Sequence, residues 1–408
     1  MELLAIKMVA TLILFLISIA IAFILIVRKF NIALALGLAL LTYSLPLLGS
    51  DTVKVFVGTL TRTLLETIAS LVLAMFLADL YRSTYIADIV VKSLEMLSPR
   101  VAAISIPAII GLLPMPAGAY ISATIINPLY TECRLTSQEK TFLNYWFRHI
   151  WVTIWPLYQS IILASAILNM SFDAIILHNW SIFIASIFSG IIVSRTIIYR
   201  INSNCIGCRD RDFKGLVHLW PFMAIVIMSM VLKLSLPLTL AIIIMIFIAV
   251  YRPSMDMIKS SFRYSLDPTI ITLIIESMIF SRTIVETGLA HQLAVYLAPY
   301  ADIAVFMIPF IMVTATGFEF TFVTIAFPAI LPLLTDYRIT LAFLGGYMGA
   351  MLSPAHACFV LTAKFFRSDL GSVYRRYLIL AAGLTIAIVI AIVAIINSTI
   401  FYLQKLEV

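Results

Sequence analysis

The chain has 408 residues, 62% of them hydrophobic and only 12% charged, about half the charged share of a soluble domain. A chain this apolar cannot shield its surface in water, which excludes a soluble globular protein, and four cysteines are too few for a disulfide scaffold. The net charge of +7 comes without any basic cluster interleaved with aromatics, so nucleic acid is not an expected partner; the surplus Lys and Arg read as cytoplasmic loops.

The first apolar run, Leu3 to Val27, is long enough to cross roughly 30 Å of hydrocarbon. Ala20-Ile21-Ala22 resembles a small-residue cleavage site, but the run continues past it and only Glu2 and Lys7 precede it, so a retained helix is expected. Arg28 and Lys29 follow directly, and placing them inside puts the N-terminus outside. Walking the spans from there gathers most of the remaining Lys and Arg on the same side. Lys7, Lys54, Arg62, Lys233, Arg282, Arg338 and Lys405 fall opposite. Both termini are therefore expected on the extracytoplasmic side of a cell membrane.

Leu64 to Tyr81 reads as another span, and Tyr85 to Ser98 as an amphipathic helix lying in the interface. Residues 101–131 are apolar but broken by Pro114, Pro116 and Gly118, and both flanks carry cytoplasmic-type charges. Each half is too short to span, so a re-entrant hairpin is expected. A Pro-broken span at 148–169 contains Trp155 and Pro156, and Ala174 to Val193 closes the first half. The linker at 201–215 carries a lone CxxC, Cys205 and Cys208. It lacks two further zinc ligands and reads as solvated loop thiols. No metal site and no cofactor are expected.

The second half, 216–408, repeats that order. Glu276 lies within the span from Pro268 to Arg282, and Thr287 to Ala298 is the second amphipathic piece. A hairpin at 301–335 turns around Gly317, a broken span at 340–367 contains Ser353, Pro354 and His356, and Leu378 to Leu403 is the last span. Pro99 pairs with Pro299, Pro107 with Pro309, Gly118 with Gly317, Pro128 with Pro328, and Pro156 with Pro354. The charge pattern starts residues 1–200 outside and the second half inside, which makes the repeat inverted. The expected fold is an all-α polytopic membrane protein built as an inverted repeat. It has about ten transmembrane helices, two re-entrant hairpins and two Pro-broken helices.

Broken helices expose backbone groups, which hydrocarbon forbids unless they line a protein cavity. Half-helix N-termini attract anions, and freed carbonyls coordinate cations. The candidate solute-binding residues are therefore Pro114, Pro116, Gly118, Ser122 and Thr124 at the first hairpin, Gly317 and Thr321 at the second, and Trp155, Pro156, Ser353 and Pro354 at the broken spans. Glu319, Glu276 and His356 are the candidates for coupling to H⁺ or Na⁺, because ionisable groups within a membrane are costly unless they serve a purpose. Arg148 and His149 precede the first break; Arg148 reads first as a headgroup anchor and second as an attractor of an anion.

The run Gly111-Leu112-Leu113-Pro114-Met115-Pro116-Ala117-Gly118-Ala119, followed by Asn144-Tyr145-Trp146-Phe147-Arg148-His149-Ile150-Trp151, resembles an uncharacterised family of integral membrane proteins. That family is placed in the ion transporter superfamily, beside gluconate permeases and citrate or dicarboxylate symporters. The resemblance covers nearly the whole chain and implies paired inverted repeats, a homodimer and cation-coupled transport of an organic anion. The dicarboxylate branch carries Ser-Asn-Thr at its hairpin tips, whereas the tips here read Pro114 to Gly118 and Thr316-Gly317-Phe318-Glu319-Phe320-Thr321. Dicarboxylate specificity does not carry over.

The expected function is a secondary active transporter working by alternating access. No glycine is followed by Lys-Ser or Lys-Thr, which argues against a nucleotide-hydrolysing loop. The alternatives are a passive channel, since broken helices also build filters, and an intramembrane enzyme. The sequence has neither His-Glu-x-x-His nor Gly-x-Ser-x-Gly, so the chain is expected not to be an enzyme.

Overall fold

The computed structural model describes residues 2–28, 30–95, 98–113, 118–201 and 214–406. Pro114 and Pro116 of the first hairpin tip, Lys29, and the linker thiols Cys205 and Cys208 lie outside the described residues. Every regular element described is helical. Seven helical stretches are long and apolar enough to cross a membrane: Val9–Ile26, Arg62–Ser83, Phe172–Arg200, Lys214–Val231, Met255–Glu286, Leu289–Thr316 and Leu370–Thr399. Together with the shorter apolar helices between them, they make this a polytopic helical protein embedded in a membrane.

The chain opens with α1 (Glu2–Val27), α2 (Ile32–Leu48), α3 (Asp51–Gly58), α4 (Arg62–Ser83) and the short amphipathic α5 (Ile86–Glu95). Local chemistry sets their starts. The Asn31 side chain accepts from the amides of Ala33 and Leu34 at the head of α2, and Thr61 caps α4. The first expected hairpin is α6 (Pro99–Gly111) and α7 (Gly118–Glu132). The first broken span begins earlier than residue 148. A reciprocal capping box between Thr136 and Glu139 starts α8 (Ser137–Arg148), the chain is irregular from His149 to Tyr158, and α9 (Gln159–Leu168) resumes. Then comes the long α10 (Phe172–Arg200).

After the linker, α11 (Trp220–Val226), α12 (Leu236–Tyr251), α13 (Met255–Ser265), α14 (Pro268–Glu286) and α15 (Leu289–Leu297) follow in the same order as α1 to α5. Asp267 caps α14, and Pro268 supplies its first residue, where a missing N–H costs nothing. The second hairpin descends as α16 (Ala301–Thr316) and returns through Phe322–Leu333, which includes α17 (Phe327–Ile330). The second broken span is α18 (Tyr337–Met351), a break from Leu352 to His356, and α19 (Ala357–Phe366). The short α20 (Leu370–Val373) leads into α21 (Ile379–Leu406).

Packing exchanges partners between the halves. α4 lies against α12 and α13, while α14 lies against α2 and α3. α10 packs along α21, where the hydroxyls of Ser189 and Thr385 meet at 2.5 Å; small residues on such faces let backbones approach closely. In each half the descending hairpin arm packs on the first arm of the broken span, α6 on α8 and α16 on α18. Both contacts are backbone-close: a side chain at Gly111 would strike the Arg148 carbonyl, and one at Gly345 the Phe306 carbonyl. A second apolar cluster joins Phe15, Tyr43 and Phe280 of α1, α2 and α14, tied by the Tyr43 and Thr287 hydroxyls at 2.6 Å.

Candidate functional site

The two breaks and the second hairpin tip converge on one cavity of about 420 Å³. Its polar lining comes from Arg148, His149 and Tyr158 at the first break, Gln159 at the head of α9, Asp267 and Thr269 at the head of α14, Glu319 at the hairpin tip, and His356 and Cys358 at the second break. The rings of His149 and His356 stand 5.2 Å apart, edge to face, so the breaks touch directly.

Satisfied carbonyls explain how the breaks persist. A chain leaving a helix strands acceptors, and burial without partners costs about 1–3 kcal/mol each. Here aromatic donors meet them. The indoles of Trp151 and Trp155 donate to the Ala108 and Leu112 carbonyls at 2.8 and 2.9 Å, and the Tyr158 hydroxyl donates to Gly111 at 2.9 Å. These bonds pin the first hairpin arm to the first break. At the second break, Tyr145 donates to Ala350 and Met351, Tyr374 donates to Leu352, and Ser353 donates to Thr314 at 2.8 Å.

The second tip is internally closed. Gly317 adopts a left-handed conformation with φ of 75°, and the Thr316 and Thr321 hydroxyls lie 2.9 Å apart, with Thr321 also donating to the Phe318 carbonyl. Glu319 projects from this turn into the cavity.

Arg148 is the charged group that sequence reading placed least well. It is 3% exposed and lines the cavity, far from a headgroup anchor's exposure. Its Nε has no partner, while one terminal nitrogen sits 3.4 Å from His149 Nε2 and 3.9 Å from Cys358 Sγ. A buried guanidinium that lines a cavity and has an unpaired N–H is suited to a carboxylate or phosphate.

The other expected residues separate into three groups. Gly317, Glu319 and His356 line the cavity. Trp155, Pro156, Thr321 and Ser353 belong to the breaks and the second tip but are not among the cavity-lining residues, and Trp155, Thr321 and Ser353 spend their polar groups on backbone or neighbouring hydroxyls. Gly118 and Ser122 are buried in α7, where Ser122 donates to Asn144 Oδ1; Thr124 is exposed and bonded to the Tyr120 carbonyl; Pro354 is exposed at the second break. Glu276 is not among the cavity-lining residues. Its Oε2 is buried without a partner, and its Oε1 lies against Gly37 of α2. Arg282 pairs with Glu286 and the Gly58 carbonyl instead.

Cys358 and Asp267 were missed. Cys358 is two residues beyond His356, on the first turn of α19, and a cysteine that close to a histidine at a helix break was the available signal.

A protein-family model described as "Protein of unknown function (DUF401)" matches residues 9–396. The chain belongs to the DUF401 family. No curated protein matches it. In this DUF401 chain the matched region takes in every residue of the cavity lining.

Proposed function

We propose that this DUF401 protein is a secondary active transporter that carries a small organic anion, with Arg148 as the anion's partner and Glu319 as the coupling site for H⁺ or Na⁺. The observation that carries the reading is the buried Arg148, whose Nε has no partner and which lines a cavity formed where two broken helices and a hairpin tip meet. Discontinuous helices around a central site are the architecture of secondary transporters. The repeated order of elements and the exchanged packing of α4 and α14 support an inverted repeat. They fit the scaffold expected from the resemblance to the ion transporter superfamily. With the orientation drawn from Lys and Arg, the heads of α2 and α14 are cytoplasmic. A cavity reaching Ile32 and Asp267 then corresponds to an inward-facing state.

The test is thermal unfolding of the purified protein against a panel of organic anions, each with and without Na⁺ and at two pH values. A ligand at 100 times its Kd stabilises the folded state by about 2.7 kcal/mol. The expected result is a shift for one anion class that depends on Na⁺ or pH and is lost in Arg148→Gln. The hit is then assayed for uphill uptake into vesicles. Equilibration without accumulation would make the protein a channel. Cys358 beside His149 and His356 also has the composition of a thiol nucleophile with its base. Ester or thioester turnover lost in Cys358→Ala, in the absence of ion-driven uptake, would replace transport by hydrolysis.

A further inference from the structure

The tautomers of His149 and His356 are fixed by what their Nδ1 atoms touch. His149 Nδ1 lies 2.6 Å from the Tyr145 carbonyl, and His356 Nδ1 lies 2.9 Å from the Ala350 carbonyl. A carbonyl only accepts, which assigns the proton to Nδ1 and a lone pair to Nε2 in both rings, with the Tyr145 hydroxyl, 3.0 Å from His356 Nδ1, donating to the Ala350 and Met351 carbonyls instead. Arg148, which only donates, faces His149 Nε2 and agrees with that assignment. An imidazole whose far N–H is held by a carbonyl is the arrangement that orients metal-ligating histidines. The ligand atoms of His149, His356 and Cys358 all lie within 4.8 Å of one another.

We infer that His149 Nε2, His356 Nε2 and Cys358 Sγ form a binding site for a soft divalent metal ion of the zinc class, which joins the two broken spans. Two imidazoles and a thiolate are the donor set such a cation prefers. Bond lengths of about 2.0–2.1 Å to nitrogen and 2.3 Å to sulfur put tetrahedral donors roughly 3.5 Å apart. One ring nitrogen of each histidine and Cys358 Sγ already lie within 4.8 Å of one another, so the set has about 1.3 Å or less to contract. All three residues line the same cavity as Glu319, whose carboxylate is an available fourth donor. Binding converts the Cys358 thiol to a metal thiolate and releases its proton to solvent, so affinity rises with pH. The Arg148 charge opposes the ion, and its contacts at 3.4 and 3.9 Å are long for strong hydrogen bonds, so the guanidinium is free to yield. This site does not depend on the transport reading, because a metal bridging the breaks binds whether or not a solute moves.

The experiment uses the full chain with Cys133, Cys205 and Cys208 replaced by Ser, so that Cys358 is the remaining thiol. It is purified in detergent and titrated with Co²⁺ as the spectroscopic stand-in and Zn²⁺ as the competitor. One equivalent of Co²⁺ should bring up a thiolate-to-metal charge-transfer band that Zn²⁺ abolishes. His149→Ala and His356→Ala should each weaken binding about tenfold or more. Arg148→Met should tighten it, and Zn²⁺ should raise the unfolding midpoint. Each variant is checked for a monodisperse, cooperatively unfolding species, and should Cys358→Ser fail that check the two histidine variants carry the test. Absence of the band at stoichiometric Co²⁺, or a band untouched by both histidine replacements, overturns the site. Failure of the anion panel leaves it standing.

Discussion

Gly317 rests against the carbonyl of Ala355: a Cβ added there would lie 2.6 Å from both the carbon and the oxygen. The tip of one hairpin is thereby docked on the break of a neighbouring span, backbone to backbone. A methyl group at this position meets two penalties. The left-handed conformation, φ 75°, costs a non-glycine residue about 1–2 kcal/mol, and the clash is with backbone that cannot rotate away. Gly288 provides the control, with φ 72° and open space around it. Gly317→Ala should lower the unfolding midpoint well beyond Gly288→Ala, and the difference measures the docking contact. Equal losses would mean that the tip is not seated on Ala355.

Much of this fold was legible before any coordinate, and the reason is hydrocarbon. Where the environment demands long apolar helices, the runs from Leu3, Leu64 and Leu378 locate α1, α4 and α21 to within three residues, and the run from Ala174 locates the start of α10, which continues seven residues past Val193 to Arg200. The second hairpin tip and the two breaks were legible because Gly317, Pro156 and Pro354 punctuate them. The polar site was harder to read, for two reasons. Hydroxyls near a tip look free in sequence, yet Ser122, Thr321 and Ser353 have their partners inside the protein. Conversely, an arginine close to a helix end looks like an anchor, and only the packing of α8 inside the bundle shows Arg148 to be buried. Which side chains reach a cavity depends on helix rotation and on chain segments far apart in sequence, and local patterns carry neither.

Tyr145 tests how the second break is held. Its hydroxyl donates to Ala350 and Met351 at 3.1 and 3.4 Å and lies 3.0 Å from His356 Nδ1. Tyr145→Phe keeps the ring but removes this donor; the Ala350 carbonyl retains the Ser353 amide and His356 Nδ1, so the loss falls on the Met351 carbonyl and is about 1 kcal/mol. The unfolding midpoint should fall accordingly. A neutral result would mean that the break is satisfied without this hydroxyl.

Asn144 ties three helices. It accepts from Ser122, donates to the Ala119 carbonyl at 3.1 Å, and approaches the Thr362 hydroxyl at 3.5 Å. Asn144→Leu should destabilise by about 1–3 kcal/mol for the stranded polar groups. Ser122→Ala should cost less and leave the anion-dependent unfolding shift unchanged, because the hydroxyl faces Asn144. A lost shift in Ser122→Ala would return Ser122 to the binding site.

Glu276 and Glu319 offer the sharpest comparison. Both are carboxyls within an apolar chain, and such groups are retained at a cost. Glu319 lines the cavity together with Arg148 and His356. Glu276 lies outside that lining, and an added Cβ on Gly37 would stand 2.6 Å from its Oε1. Replacing either acid by Gln preserves shape and removes the ionisable proton. If coupling resides at the cavity, Glu319→Gln should keep the anion-induced stabilisation and lose its dependence on Na⁺ or pH. Glu276→Gln should keep both, and should unfold at a temperature equal to or above that of the parent, since a neutral amide is cheaper to hold beside Gly37 than a carboxylate. The readout is the four-way set of midpoints, with and without anion and with and without the coupling ion. Loss of ion dependence in Glu276→Gln alone would move the coupling site out of the cavity and onto the contact between α2 and α14. A bound ion would then act by changing how those two helices pack, without touching the solute.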